Sequence, residues 1–396
     1  MITYIEQKNG KYYPKNKLEL KKLVEDEDIY LGNIDTSVIT DMSELFQFIY
    51  REDFSGIESW DVSNVKNMSG MFYEVWNFNG DLSNWNINDK ISIDDLCLEN
   101  YPKNFTIPKD ENGKYKPKKA LALYYLVRNE NIALKDIDIS LITDMSWLFA
   151  NSERKDFSDI ESWDVSNVKN MSCMFYEAKN FNGDLSKWNV SNVKNMSCMF
   201  KGASKFNSDL SNWDVSNVEN MEFMFRGAEN FNSDLSNWNV SNVKDMRSMF
   251  YEATNFNGDI SGWNVSNVKD MSYMFYEVKN FNSDLSNWDV SNVKDMSYMF
   301  CEAKNFNSDL SNWDVSNVEY MSNMFCEASK FNSDLSNWDV SNVKDMSYMF
   351  YGAKKFNSDI SKWDVSNVEN MEFMFRGAIN FNSDISKWNI SNVEIN

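Results

Sequence analysis

Histidine is missing from all 396 residues. That removes Ser-His and Cys-His nucleophilic centres, and histidine-containing zinc sites, from what the chain can build by itself. Cysteine is sparse: Cys97, Cys173, Cys198, Cys301 and Cys326 are too few and too scattered for a disulfide scaffold, and the odd number leaves at least one thiol without an intrachain partner. Glycine and proline are scarce, and no apolar run approaches the roughly 18 residues of a membrane span. Positions 1–7 lack the basic-then-apolar pattern of a secretory leader, so the expectation is either a cytosolic chain or one whose leader has been replaced by a start methionine. Positive charge is also in deficit, with 39 Lys and Arg against 60 Asp and Glu, a formal charge of −21. Nucleic acid and anionic membranes are therefore poor partners, because no basic footprint exists to release counterions. Cationic proteins or divalent ions are the electrostatically natural company.

What is present is aromatic and periodic. Aromatics make up 15% of the chain, too many for a disordered acidic sequence, so a core can be buried. Trp163, Trp188, Trp213, Trp238, Trp263, Trp288, Trp313, Trp338, Trp363 and Trp388 recur every 25 residues, and Trp60 and Trp85 form one more such pair. The unit opening at Trp213 carries Val215, Val218, Met221, Met224, Phe225, Ala228, Phe231 and Leu235, and the same apolar set recurs in each repeat. Such a chain is a stack of units none of which can bury its apolar face alone.

Within the unit the periodicity changes. Leu210, Trp213 and Val215 end in alternation, which predicts a short strand with Trp and Val inward. Met221, Met224, Phe225 and Ala228 follow the i, i+3, i+4, i+7 spacing of an amphipathic helix, with Ser216 and Asn217 as candidate caps. The Phe-Asn-Ser-Asp-Leu-Ser segment then predicts a turn. The expected fold is thus α/β, a leucine-rich-repeat-like solenoid of strand-helix-turn units.

A second, longer repeat overlies the first. Gly10–Pro14 recurs as Gly113–Pro117, and Leu18, Leu20, Leu23 and Val24 recur as Leu121, Leu123, Leu126 and Val127. Asn9-Gly10 and Asn112-Gly113 predict two-residue hairpin turns, and the leucines after them are helix-spaced. Each hairpin-helix unit precedes an atypical repeat, Ile34–Ser59 or Ile137–Ser162, and is expected to be an N-terminal cap. After Trp85 the unit decays, and the second cap is expected to begin near Pro102. Two domains follow: 1–100, a cap with a short solenoid, and 101–396, a second cap with a long solenoid of about ten repeats. At the other end the last repeat has no capping unit. Phe375, Phe381 and Trp388 are expected to be poorly covered, so that either the natural protein continues beyond Asn396 or this end packs against another molecule, with self-association the expected outcome.

The repeat Trp-Asp-Val-Ser-Asn-Val-Lys-Asp-Met-Ser-x-Met-Phe-x-x-Ala-x-x-Phe-Asn-x-Asp-Leu resembles that of the BspA-type leucine-rich-repeat surface proteins of bacteria, over Trp60–Asn84 and Trp163–Asn396. The resemblance implies surface display or secretion and attachment to host matrix proteins.

Candidate functional residues fall in columns. Counting each Trp as position 0, positions 10 and 13 are predicted neighbours on the outer face of the helix. They carry Phe223 and Arg226, Tyr273 and Tyr276, Tyr298 and Cys301, Tyr348 and Tyr351, and Phe373 and Arg376. Tyr, Phe and Arg anchor protein interfaces; the competing expectation is that the rings lie partly covered over neighbouring repeats. Position 1 carries four consecutive carboxylates, Asp289, Asp314, Asp339 and Asp364, a solvated face or a dock for a basic protein. The column Asp184 to Asp384 at position 21 is expected to cap turn amides; a Ca²⁺ column is the alternative. Cys173 and Cys198 share one column and Cys301 and Cys326 another, which allows a cross-turn disulfide if the Cα atoms lie within about 7 Å; incidental surface thiols are the expectation.

Polar residues repeated in symmetric copies do not make the asymmetric pocket of an enzyme. The expected function is non-catalytic protein binding without a cofactor, in bacterial surface attachment. A cytosolic interaction scaffold is the second reading and a calcium-dependent or carbohydrate-binding module the third; sugar binding would need exposed Trp, whereas nearly all Trp are predicted inward.

Overall fold

The computed structural model describes residues 5–75, 77–82, 84–85, 87, 96 and 109–393. The chain forms two compact units, Met1–Leu148 and Phe149–Asn396. The domain boundary expected at 100/101, the start of the second cap near Pro102, Cys97 and the final Glu394–Asn396 lie outside the described residues.

The first unit opens on a hairpin, β1 (Glu6–Lys8) paired antiparallel with β2 (Lys11–Tyr13). Its two-residue turn places Asn9 and Gly10 at φ 52° and 79°, the left-handed backbone that an Asn-Gly hairpin turn requires. Helix α1 (Lys17–Glu25) follows, with Asn16 accepting from the Glu19 amide while the Glu19 carboxylate accepts from the Lys15 amide, a reciprocal arrangement that satisfies the first turn. The end of α1 is closed by Arg51, 3% exposed, whose guanidinium donates to the carbonyls of Val24 (3.2 Å), Asp26 (3.0 Å) and Ile29. Tyr12 bridges in parallel to Ile34, so the hairpin hands the chain to the first repeat.

The second hairpin-helix unit keeps its helix, α2 (Ala120–Arg128), but not the expected two-residue turn. Lys109 bridges Tyr115 across a wider loop, because the Asp110 carboxylate accepts the amides of both Asn112 and Lys114. Tyr115 bridges Ile137 as Tyr12 does Ile34, and Lys116 pairs with Asp138 at 2.7 Å.

The second unit stacks the repeats from Trp163 to Trp388, each turn directly on the last. Three aromatic columns run through it. Indoles lie parallel, as Trp238 and Trp263 do at 6.3 Å and 4°. Phe225 and Phe250 stack at 5.6 Å, Phe231 and Phe256 at 6.0 Å, and Phe225 lies on Phe231 at 3.9 Å. These interior columns, with the Met and Val positions, are closed to solvent except in the last repeat. There Phe375, Phe381 and Trp388 are half-buried, and Ile379 and Ile390 are 78% and 53% exposed.

The unit itself is not strand-helix-turn. The expected strand at Leu210–Val215 is a pair of tight turns, with Trp213 N–H donating to Leu210 and Val218 N–H to Val215. The expected helix at Met221–Ala228 is a run of overlapping turns. Its amides alternate. Those of Met224, Arg226 and Ala228 donate three residues back, to Met221, Phe223 and Phe225. Those of Met221, Phe223, Phe225 and Gly227 donate to Asp245, Arg247, Met249 and Tyr251 of the next repeat. Parallel pairing between repeats is therefore centred on position 7, as in Asn195–Asn220–Asp245, not on the Trp-Val segment. An α-helix would consume every amide internally and leave nothing to bind its neighbour; stacking wins because half the amides are released to the ladder. The geometry needs left-handed backbone at positions 10 and 14. Phe223 has φ 57° and Gly227 φ 69°, and non-glycine residues such as Tyr273, Glu277 and Tyr298 adopt the same conformation, strain that the bonds on either side over-determine.

Side chains complete the ladder. Trp213 Nε1–H donates to the Leu185 carbonyl of the preceding repeat at 3.0 Å, and its counterparts do the same down the stack. Asn232 N–H donates to the Asn207 side-chain oxygen at 2.8 Å, in a column continued by Asn257, Asn282 and Asn307. The buried Leu285 amide donates to Ser308 Oγ at 2.8 Å. Buried polar groups are thus met by the neighbouring repeat.

Candidate functional site

The run of overlapping turns returns positions 10 and 13 to one lateral face, as a helix would have done. Phe223, Arg226, Tyr273, Tyr276, Tyr298, Tyr348 and Tyr351 are half-buried and Phe373 is 42% exposed, with Arg376 exposed beside it. The Arg226 guanidinium lies 5.7 Å from the Phe223 ring and 4.2 Å from that of Tyr251. Tyr251 stacks on Tyr276 at 4.6 Å and 9°, and Tyr273 stacks on Tyr298 at 4.5 Å and 6°. The two tyrosine stacks lie beside each other, with Tyr273 and Tyr276 at 6.1 Å. Five predicted residues are thereby joined into one strip, and Tyr251, which the sequence reading did not single out, is the member that joins them. Its place in the position-13 column was the available signal. Lys201, 5.1 Å from the Tyr176 ring and 5.4 Å from Phe223, extends the strip toward earlier repeats.

A second cluster lies further along the same columns. Tyr348 is 5.7 Å from Tyr351 and 5.3 Å from Phe373, and Arg376 covers the Phe373 ring at 5.1 Å. Burial pushes the phenol pKa values of Tyr251, Tyr273, Tyr276 and Tyr298 upward, so these rings stay neutral hydroxyl donors at physiological pH. The strip therefore offers flat aromatic area and cation–π partners, the chemistry of protein-interface anchors.

The carboxylate columns are a separate feature. Asp289, Asp314, Asp339 and Asp364 are exposed and accept from the amides of Ser291, Ser316, Ser341 and Ser366. Serine side-chain and backbone hydrogen bonds hold the Asp289 and Asp364 carboxyls below the usual carboxylate range. The position-21 carboxylates act likewise: Asp234 Oδ1 accepts from Ser236 N–H at 2.9 Å and Asp309 Oδ1 from Ser311 N–H at 2.9 Å. Each carboxylate closes its own turn. At position 14, Glu252 is half-buried, and burial together with the Glu277 carboxylate raises its pKa.

Two open concavities lie near the start of the second unit, one beside Lys155, Asp156, Glu161 and Asp184, the other beside Asn151, Glu153, Lys155 and Glu177. The Trp column, 3–5% exposed from Trp163 to Trp363, lies inside the stack and is not a sugar-stacking surface. No helix among the described residues is long and apolar enough to cross a membrane.

No curated protein sequence matches the chain. Among solved structures, the crystal structure of a TLR13–ssRNA13 complex aligns over 88% of this chain with a TM-score of 0.20 and 10% identity. The alignment spans 65% of that protein, less than two thirds of its length. One family profile, described as "Mycoplasma protein of unknown function, DUF285", matches at residues 18–105, 143–262, 228–338 and 305–396. These matches take in most of the first unit's repeats and all of the second unit, and the chain belongs to the DUF285 family.

Proposed function

We propose that this chain is a non-catalytic protein-binding repeat protein of the BspA-like, leucine-rich-repeat-like kind, displayed on the bacterial surface, and that it attaches to a host matrix protein through the lateral strip at positions 10 and 13. One observation carries the reading. The core, turn and ladder positions are nearly invariant between repeats, whereas the strip varies, and its variation assembles Phe223, Arg226, Tyr251, Tyr273, Tyr276 and Tyr298 into one contiguous patch. Positions free to vary without breaking the stack are where a repeat protein can encode a partner. The formal charge of −21 favours a partner with a basic contact surface.

The test has two arms. Immobilised purified matrix proteins are titrated with the full chain and with a Tyr273→Ala/Tyr276→Ala/Tyr298→Ala variant whose melting curve is compared with the parent's. Binding by the parent, weakened at least tenfold in a folded variant, supports the reading; no binding, or equal binding, overturns it. Protease treatment of intact cells tests location: cleavage of the chain supports display, and complete protection favours the cytosolic scaffold instead.

A further inference from the structure

Four of the five cysteines lie on the lateral strip as two pairs in register. Cys173 and Cys198 occupy position 10 of adjacent repeats, and Cys301 and Cys326 occupy position 13 of another adjacent two. The inter-repeat ladder fixes both pairs. Cys173 N–H donates to the Ser197 carbonyl at 2.8 Å and Cys198 N–H to Glu222 at 2.9 Å; the Cys301 and Cys326 carbonyls accept from Glu277 (2.9 Å) and Glu302 (2.7 Å). The same columns supply a ruler. Rings stack at 4.5 Å between Tyr273 and Tyr298 at position 10, and at 4.6 Å between Tyr251 and Tyr276 at position 13. Backbones paired in this parallel ladder lie about 4.8 Å apart, within the Cα range of disulfides, about 4.4–6.8 Å. Within each pair the two thiols lie close enough to shift one another's protonation. One member is buried, Cys173 at 7% and Cys301 at 5% exposed, and the other, Cys198 or Cys326, is partly open to solvent.

We propose that Cys173–Cys198 and Cys301–Cys326 are two dithiol oxidation sites, each closing to a disulfide across adjacent repeats on reaction with a hydroperoxide. The more open thiolate, Cys198 or Cys326, attacks the peroxide. Its S–O bond forms as the O–O bond breaks, and the departing oxygen takes a proton and leaves as water or an alcohol. The buried partner, once deprotonated, then attacks the sulfenic sulfur; the S–S bond forms and the hydroxyl leaves as water. Two thiols lose two electrons and the peroxide gains them.

The environment directs the first attack. The neighbouring Cys173 thiol lowers the Cys198 pKa and the Cys301 thiol lowers that of Cys326, while the Cys326 thiol and burial push Cys301 up. Lys201 and Arg226 further favour the Cys198 thiolate against Glu222, whereas Cys326 faces the carboxylates of Glu302 and Glu327. A thiolate among cations is the more available nucleophile, so the Cys173–Cys198 bridge forms first. In sequence the pairs flank the Phe223–Tyr298 patch, and the two bridges would clamp the repeats on either side of it. This thiol chemistry does not depend on what the patch binds.

The full-length reduced chain is exposed to hydrogen peroxide, quenched with N-ethylmaleimide, and followed by intact mass and non-reducing peptide mapping. The label count is expected to fall from five thiols to one in a monomeric product. The 173–198 peptide pair should appear several-fold faster than 301–326, and the unfolding temperature should rise on oxidation and return to its starting value when a reductant is added. Cys173→Ser and Cys301→Ser variants should each leave a dimedone-trappable sulfenic acid on the remaining Cys198 or Cys326. Retention of five labels, crosslinks between chains, or pairing of Cys173 or Cys198 with Cys301 or Cys326 would overturn the assignment.

Discussion

Replacing Trp288 by alanine probes the stack where its two supports coincide. The indole is 3% exposed, lies parallel to Trp263 at 6.4 Å and 3°, and packs against Phe275 at 6.4 Å. Its Nε1–H donates to the Ile260 carbonyl at 3.1 Å. Truncation removes about 150–250 Å² of buried aromatic surface and leaves a cavity in a stack with little freedom to collapse, a cost of about 3–5 kcal/mol. The orphaned carbonyl adds about 1 kcal/mol. Because each repeat touches only its neighbours, the loss should be local, and it should divide the array into two cooperative blocks. Hydrogen exchange read repeat by repeat should show protection lost in residues 263–300 and retained near Trp213. Trp288→Phe, which keeps a ring but loses the donor, should cost about 1–3 kcal/mol. Trp388 sits half-buried in the last repeat, so Trp388→Ala should cost about half as much as Trp288→Ala. Equal costs at the two positions, or a loss below about 1 kcal/mol at Trp288, would refute the argument that the Trp column is held by both neighbours.

Two further outcomes follow from individual bonds. Burial works against the Asp138 carboxylate, but hydrogen bonds from Lys116 and Ser140 outweigh it and hold its pKa at about 2. The folded pKa lies below the unfolded value, so this stabilisation is present above about pH 4 and is lost as pH falls through about 2. Discounted for the exposure of Lys116 it amounts to about 1 kcal/mol, and acid unfolding curves of Asp138→Asn and the parent should converge near pH 2. Ser308→Ala should cost about 1–3 kcal/mol in urea unfolding by stranding the buried Leu285 amide. Position 258 is the converse case, because glycine stands there in place of the serine. Gly258→Ser should stabilise by about 1 kcal/mol through a new acceptor for the Leu235 amide; destabilisation would mean that the close approach to Phe256 and the Ser233 carbonyl outweighs the bond.

The sequence by itself determined the repeat, its register and its interior. Indoles, phenylalanines and methionines spaced every 25 residues can all be buried only if successive turns lie in register, and the structure places them in columns. It also determined the Asn9-Gly10 hairpin and the α1 and α2 helices, whose signals are local. Which residues share the lateral face was legible too, because turns that repeat every three or four residues sort side chains as a helix does. That same equivalence concealed the backbone. Met221, Met224, Phe225 and Ala228 fit a helix and a run of turns equally well, and the local cue against a helix was the glycine at position 14 of four repeats, Gly202, Gly227, Gly352 and Gly377. Glycine inside a helix costs about 1 kcal/mol, and here each sits at positive φ. Only the tertiary structure decided where the amides go. An amide's partner in the next repeat is 25 residues distant, so no local propensity encodes it; the choice is made by the neighbour that offers a carbonyl every second residue and, with it, the left-handed backbone of Phe223, Tyr273 and Glu277. For the same reason the patch joined by Tyr251, and the pairing of Cys198 with Cys173, became visible only when one repeat was laid on the next.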